Sequence, residues 1–508
     1  MNMKTTKFYT LLVLLLMTGW VTMQGQGNDR TLEYGYWADI VTEQPEGYVV
    51  DAEGNVEIYT PEGLAWLSCV VNGLNGCEPD NFDGRTVRLM ADLNLEETYG
   101  LMNLVPIGNR EHRFMGSFDG QDHSIDGLFI LNTLGEEMRM DMALFGYLYH
   151  GTVKNLSLNS GFYAYMHPFD MNTGTYELYY DALVAAVSDS LSLVENCNCR
   201  LKVSELVGNA HPAGVYMAAF VGLNRNSTVR NCAYEMDNYS QAGGIDVGGI
   251  VLRNISEGDY ADAIVENCYF YGSLMGSYSD ENVGGIVCFN ETVSNGKKAI
   301  VRNCYSELLD YLTGHYNKGC IVAYNSEGSV VENCFADVSG QQGWNGLFGT
   351  NLGETINCTE FVPYMGDGVL LEPVVIGETQ TDRLVEALNA WVNVQEEPNL
   401  YREWIEGYYI PVPEFGEVWG VTENVVFSRT NAYPNPGKDV LNIRTGLQNA
   451  RVEVHDTNGR LIHSQAITEN VTGIDATDWA DGVYVWKVYT GVSTGSTTLV
   501  ETGKWIKQ

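Results

Sequence analysis

Carboxylates are the first side chains to weigh for chemistry, because 65 acidic residues stand against 28 basic ones in a chain of 508. Two carboxyls flanking a glycosidic bond can serve as general acid and as nucleophile or base, and a base beside a uronate can drive elimination. Asp259 with Asp262, Asp280 with Glu281, and Asp310 have the types and spacing for such work. They fall mostly in stretches of uneven length, where a solvated loop charge is the simpler reading. The basic partner that elimination needs is scarce: Lys297, Lys298 and Lys318 are the few in the central region. The run DMNTGTYELYYD at 170–181 has the acids of a calcium loop but lacks Gly at its sixth position and Glu at its end, so it reads as a loop. No phosphate-binding loop, dinucleotide fingerprint or HExxH segment occurs. No catalytic, metal or cofactor-binding residue is assigned, and no cofactor is implied.

Aromatic rings are the better contact candidates. Tyr260, Tyr269, Tyr271, Tyr278, Tyr311, Tyr316 and Trp344 crowd the same region, and amphipathic rings suit sugar or protein contact. Packing and ring stacking inside the fold is the competing reading. Six of the eleven cysteines recur at fixed phrases, as Cys197, Cys232, Cys268, Cys304, Cys334 and Cys358. Side chains stacked on parallel strands keep parallel Cβ vectors, whereas a disulfide wants Cβ atoms about 3.8 Å apart. Zinc wants four converging ligands, which a straight row does not supply. Small apolar packing of the thiols is therefore expected. Cys69 and Cys77 lie eight apart near an expected helix end and could bridge in an oxidising compartment. The odd total leaves at least one thiol free or paired elsewhere.

Two phrases alternate through the middle of the chain and must position all of these groups. One reads FVGLN at 220, GGIVLRN at 248, GGIVCFN at 284, GCIVAYN at 319 and GLFGTN ending at Asn351. The other reads VENC, VRNC, VENC, VRNC, VENC and INC, with Asn196, Asn231, Asn267, Asn303, Asn333 and Asn357 before the cysteines. Each phrase is a short apolar stretch bounded by Gly or Asn, the pattern of a brief buried strand. Cys-to-Cys steps of 35, 36, 36, 30 and 24 residues are too short for units that bury their own faces, so neighbours must stack. The spacing predicts an all-β fold: a parallel, right-handed β-helix solenoid with capping helices. A propeller blade needs four strands, and the 24-residue step has no room for them. Each Asn is expected to bond to its counterpart one repeat away, forming a structural ladder.

Before the repeats, IYTPEGLAWLSCVVNG places Thr60 and Pro61 at the N-cap and first position of a helix reaching about Val71. RTVRLMADLNL, VPIG at 105, MGSFDGQDHSIDGLFI at 115–130, ALFG at 143 and VKNL at 153 follow in order. This order resembles the GLUG-type repeat family of bacterial surface β-helices over residues 57 to about 360. Asp122 departs from that family's usual Gly, and most of the later copies lose the family's "GLVG" glycine, with Leu252, Cys288 and Ala323 in its place. TDRLVEALNAWV at 381–392 has helical spacing at Leu384, Leu388 and Trp391 and is expected to cover the last repeat, hiding a sheet edge.

From Ala432 the text changes to alternating apolar residues with turns at Asn458-Gly459 and Asp481-Gly482, predicting a small immunoglobulin-like antiparallel β-sandwich. It resembles the type A sorting domain of type IX secretion cargo at Pro434, Asn435, Pro436, Asp456, Gly459, Arg460, Gly482, Tyr484, Lys504 and Lys507. The resemblance implies passage through the type IX secretion machinery, cleavage near 420–433 and display at the outer-membrane surface, or release, by a Gram-negative bacterium. Lys4 and Lys7 before an apolar run from Leu11 to Met17 read as a secretory signal peptide. No later stretch offers the roughly 20 apolar residues of a membrane span. The expected organisation is 1–27 signal peptide, 28–80 N-terminal segment with capping helix, 81–360 repeats, 361–425 C-terminal cap and linker, and 426–508 sorting domain.

Residues 28–428 carry net −39 within a chain of −37, because the last eighty residues balance eight acids with eight bases and the signal adds two lysines. Nucleic acid is excluded as a partner by that field, and polyanionic glycans are disfavoured without bridging cations. The leading reading is a non-enzymatic adhesin or scaffold for a glycan or for a host or bacterial surface protein. A polysaccharide lyase or glycoside hydrolase is the alternative, and a purely structural surface protein the third.

Overall fold

A computed structural model describes residues 35–507 except 98–99, 101, 132–140, 166–179, 202–205, 209–215, 219, 237–240, 245, 277–281, 294–295, 309–316, 338–345, 365–366, 406–411, 414–430, 434–437, 439, 445–449, 457–459, 468–470, 481 and 491–497. The signal segment, Pro434, Asn435, Pro436, Gly459, Asp280, Glu281, Asp310, Tyr278, Tyr311, Tyr316, Trp344 and the calcium-like run up to 179 lie outside the described residues.

Each repeat delivers one short strand to each of several parallel sheets. A seven-stranded sheet is built in strict chain order from Phe145–Tyr149, Ala185–Asp189, Val221–Arg225, Val251–Ser256, Val287–Thr292, Val322–Asn325 and Phe348–Asn351. A five-stranded sheet runs from Tyr180–Asp181 through Tyr216–Ala218, Asp246–Gly248 and Asn282–Gly284 to Asn317–Gly319. The corner between these two sheets is the GG of the first phrase. A Cβ on Gly249 would sit 1.9 Å from the Gly285 carbonyl oxygen, and one on Gly285 would sit 1.8 Å from that of Cys320. Only glycine permits that approach.

The V-E/R-N-C phrases build the largest sheet, in two parallel columns separated by a bend at each Asn. Asn155, Asn196, Asn231, Asn267, Asn303, Asn333 and Asn357 all have φ between 51° and 54° except Asn333 at 49°. Asn tolerates this left-handed conformation better than other non-glycine residues. The bend turns the following residue inward, where Leu156, Cys197, Cys232, Cys268, Cys304 and Cys334 are buried, with Cys358 half-buried. Each of these six thiols donates to the carbonyl two residues earlier at 3.1–3.3 Å. All eleven cysteines, Cys69 and Cys77 included, are free thiols.

Two helices cover apolar surface. A four-residue turn, α1 (Trp37–Ile40), precedes α2 (Pro61–Asn72), whose N-terminus is capped by the Thr60 hydroxyl and which ends at Gly73, φ 69°. The third, α3 (Leu384–Asn393), buries Leu384, Leu388 and Trp391 in a cluster with Tyr269, Tyr305, Phe335 and Phe361. It therefore lies along the flank of the stacked strands, beyond the last repeat alone. Closure of the final edge falls to Asp367–Ile376, which pairs antiparallel with Thr359–Tyr364.

At the C-terminus the sheets turn antiparallel. Three strands, Asn431–Tyr433, Val440–Arg444 and Val471–Asp475, and four, Ala450–Asp456, Leu461–Ile467, Gly482–Thr490 and Thr498–Lys507, contribute to one apolar cluster around Val452, Val454, Val488 and Trp505. Among the described residues no helix is long and apolar enough to cross a membrane.

Candidate ligand-binding groove

Two rows of asparagine run up the stack. In the first, the Nδ2 atoms of Asn224, Asn254, Asn290 and Asn325 each donate to the Oδ1 of the next repeat's Asn at 2.8–2.9 Å, ending at Asn351. In the second the donation runs the other way: Asn333, Asn303, Asn267, Asn231 and Asn196 each donate to the preceding repeat, at 2.6–3.1 Å, and Asn155 donates to Asp119. Asn357 leaves the row and donates to the Val375 carbonyl at 3.0 Å. A strap following α3 seals the second row. Asn231 donates to the Leu400 carbonyl, Asn267 to that of Arg402, and Trp404 Nε1 donates to Asn267 Oδ1 at 2.6 Å.

Beside this row the E/R alternation resolves into a register of charge. Glu57, Arg88, Asp119, Lys154, Glu195, Arg230, Glu266, Arg302 and Glu332 are successive cross-strand partners. Glu266 is buried between Arg230 at 3.6 Å and Arg302 at 2.6 Å, and the guanidinium of Arg302 faces the Trp391 ring. Opposite charges directly across strands stabilise a sheet, and like charges destabilise it.

These rows occupy the architecture; a cavity that combines a cation, aromatic support and apolar lining lies elsewhere. A groove of about 450 Å³ is lined by Val71, Pro79, Asp80, Asn81, Arg110, Glu111, His112, Arg113 and Met115. Its rim is the turn at 106–114, which sequence reasoning passed over. Asn109 Oδ1 accepts from the amides of Glu111 and His112 at 2.8 and 2.9 Å, and its Nδ2 donates to Asn72 Oδ1 at 2.8 Å. Asn72 in turn donates to the Pro106 carbonyl, fixing the turn to the end of α2.

Arg110 and Arg113 leave this turn in different electrostatic states. Arg110 forms a fork with the buried carboxylate of Asp141 at 2.7 and 3.0 Å. Arg113 is exposed, makes no ion pair among the described residues, and holds its guanidinium 5.0 Å from the Tyr147 ring centre and 4.9 Å from that of Tyr149. The Tyr147 ring is fixed from below. Tyr147 donates its hydroxyl to Asp189 at 2.6 Å, and Arg225 binds the same carboxylate at 2.6 and 3.0 Å. Burial, then the Asp189 carboxylate, push the Tyr147 phenol up to about 12, so it stays a donor. Burial alone would raise Asp189, but Arg225 and Tyr147 bring its carboxyl below the ordinary range. The signal available in sequence was the REHR run, three potential cations in four residues of a strongly acidic chain.

The residues singled out from sequence do not converge on this groove. Asp259 is exposed and Asp262 half-exposed, and Asp262 accepts from the Lys298 amide at 2.7 Å. Tyr260 is 54% exposed and bonds Ser190. Tyr269 is buried and stacked on Tyr305 at 4.6 Å, and Tyr271 is half-buried. Lys318 is buried, Lys297 half-buried. Among the described residues no group of three or more His, Cys, Asp or Glu could hold a metal.

The C-terminal residues do assemble locally. Asp456 accepts from the Arg460 amide at 3.0 Å and from its Nε at 3.1 Å across the hairpin. Tyr484 packs on Trp505 and donates to the Ala480 carbonyl, beside exposed Gly482. Lys507 is buried and donates to the Lys438 carbonyl, while Lys504 is exposed. Residues 431–501 match the family model described as a secretion system C-terminal sorting domain. That match marks a secreted or cell-surface protein exported through the type IX secretion system, whose machinery is accordingly a partner. No curated protein and no solved structure matches the chain.

Proposed function

We propose that the chain is a right-handed parallel β-helix of the GLUG-repeat kind, displayed at the cell surface as a non-enzymatic binding scaffold. In this reading 1–27 is the signal, 81–360 the coils, 361–425 the cap and linker, and 426–508 an immunoglobulin-like sandwich read by the export machinery. Constant strand register, glycine corners and asparagine rows with repeat periodicity support the coiled architecture. The binding role is carried by one observation: an exposed Arg113 held over two tyrosines beside a groove. A rigid cation on an aromatic bed is suited to recognition. The test is a glycan and surface-protein array with the secreted chain, run beside a reducing-sugar assay. Selective retention without new reducing ends is expected; release of reducing or unsaturated ends would overturn the non-enzymatic reading.

Hydrolysis of a glycan is the second reading, and one observation favours it. Glu307 and Asp337 are cross-strand neighbours, and burial, then Asp337, push the Glu307 carboxyl up to about 8. A protonated acid beside a second carboxyl is the pairing that glycoside cleavage uses.

A further inference from the structure

We infer that the groove between α2 and the 106–114 turn takes a single carboxylated sugar unit, bound through Arg113; the inference rests on the binding-scaffold reading and names its ligand class.

Arg113 keeps hydrogen-bonding capacity in reserve. The rings of Tyr147 and Tyr149 lie under its guanidinium, and its N–H donors make no ion pair among the described residues. A planar fork of donors matches a carboxylate in a bidentate manner. The aromatic bed restrains the side chain before any ligand arrives, so less rotamer freedom is lost on binding. Its neighbour Arg110 differs in being neutralised by Asp141, which leaves Arg113 as the cation the groove presents.

The rest of the lining fits a saccharide. Pro79 and Met115 give apolar surface for the C–H face of a pyranose, while Asn81, Asp80, Glu111 and His112 bring polar groups within the same cavity, the Glu111 carboxylate on its exposed rim. Asp80 is itself held by Arg85, which keeps that wall charge-balanced. The volume, about 450 Å³, is in the range of small-ligand pockets and admits one or two sugar rings.

The long-range field sets the number of charges the ligand carries. At net −37 the molecule repels a polyanion over the Debye length, so each added ligand charge weakens association while only one meets Arg113. An oligosaccharide ending in one acidic sugar is therefore preferred over a polyuronate or a polysulfated chain.

Titration of the intact secreted chain separates the cases. The probes are a free sialic acid, an oligosaccharide terminating in that acid, its neutral counterpart, a singly sulfated counterpart and a polyuronate. Arg113→Gln and Arg113→Lys are compared with wild type, the melting curve confirming each fold. The expected result is binding of the carboxylated probes, at least tenfold loss in Arg113→Gln, partial recovery in Arg113→Lys, and weaker binding of the polyuronate. Preference for the free acid or for the terminal residue identifies the source of the carboxylate. Equal binding of the neutral probe, tighter binding of the sulfated one, or an unchanged Arg113→Gln overturns the inference while leaving the scaffold reading intact. Retention of nothing on a full glycan and protein array overturns both.

Discussion

Asn267 concentrates the demands made on the second asparagine row. Its amide has two donor hydrogens and two acceptor lone pairs, and all four are engaged: with Asn231 at 2.8 Å, the Arg402 carbonyl at 2.9 Å, Asn303 at 2.7 Å and Trp404 Nε1 at 2.6 Å. The residue is fully buried, at φ 53°. Replacing it by Ala removes four bonds worth about 1 kcal/mol each, about 4 kcal/mol together. Holding Ala in the left-handed region adds about 1 kcal/mol. Asn267→Ala is thus expected to cost about 5 kcal/mol, and Asn267→Gly about 4, because glycine accepts the bend without strain. Asn357 calibrates the scale: it has the same φ region but one such bond, to Val375, and is half-buried. Its Ala variant should lose only about 2 kcal/mol. Urea unfolding followed by tryptophan fluorescence measures all three, with Trp404 of the strap one of ten tryptophans in the chain. Losses at the two sites within about 1 kcal/mol of each other would refute the reasoning, as would a Gly variant no better than Ala.

Four further outcomes follow from the same geometry. Glu266→Gln should cost about 2–4 kcal/mol by leaving two arginines short of a buried partner; the swap Glu266→Arg with Arg302→Glu should not restore stability, since Arg230 and Glu332 then meet like charges, and full recovery on urea unfolding would disprove the charge register. The raised Glu307 carboxyl contributes stability that is complete below its ordinary value near 4.5 and lost as pH climbs through about 8. Relative to Glu307→Gln, the wild type should weaken by about 2–4 kcal/mol from pH 4 to 9, and parallel stability profiles would sink the claim. Burial holds the thiols of Cys197, Cys199, Cys268, Cys304 and Cys334 well above the usual range, so native-state alkylation read by mass spectrometry should reach half-buried Cys77 and Cys358 before any of them. Removal of 431–508 should leave the protein in the periplasm, and normal surface display of the truncated chain would contradict export through its sorting domain.

How far the sequence speaks depends on the range of the interaction. Strand positions, the glycine corners and the helix from Thr60 are local, and the alternating phrases state them openly. The strap is not local: Trp404 meets Asn267 across 137 positions, and no periodicity announces where a segment after α3 will dock. The E/R alternation is visible as text, yet its meaning as nine stacked charges requires the register. Arg113 went unremarked because its value lies in Tyr147 and Tyr149, which occupy a different strand, and in the absence of the carboxylate that its neighbour has. Tyr269 was legible in part: ring stacking between repeats was one of its two readings, and it does stack on Tyr305 at 4.6 Å, but the helix α3 packed against it is not announced locally.

The strap also fixes an order of events. Leu400, Arg402 and Trp404 return to repeats that were synthesised well over a hundred residues earlier, so those middle repeats cannot be latched until the chain has emerged to about residue 405. A nascent chain shorter than that therefore lacks these hydrogen bonds. Docking of that one short segment, late in synthesis, then adds its hydrogen bonds to Asn231 and Asn267 over repeats that have already stacked.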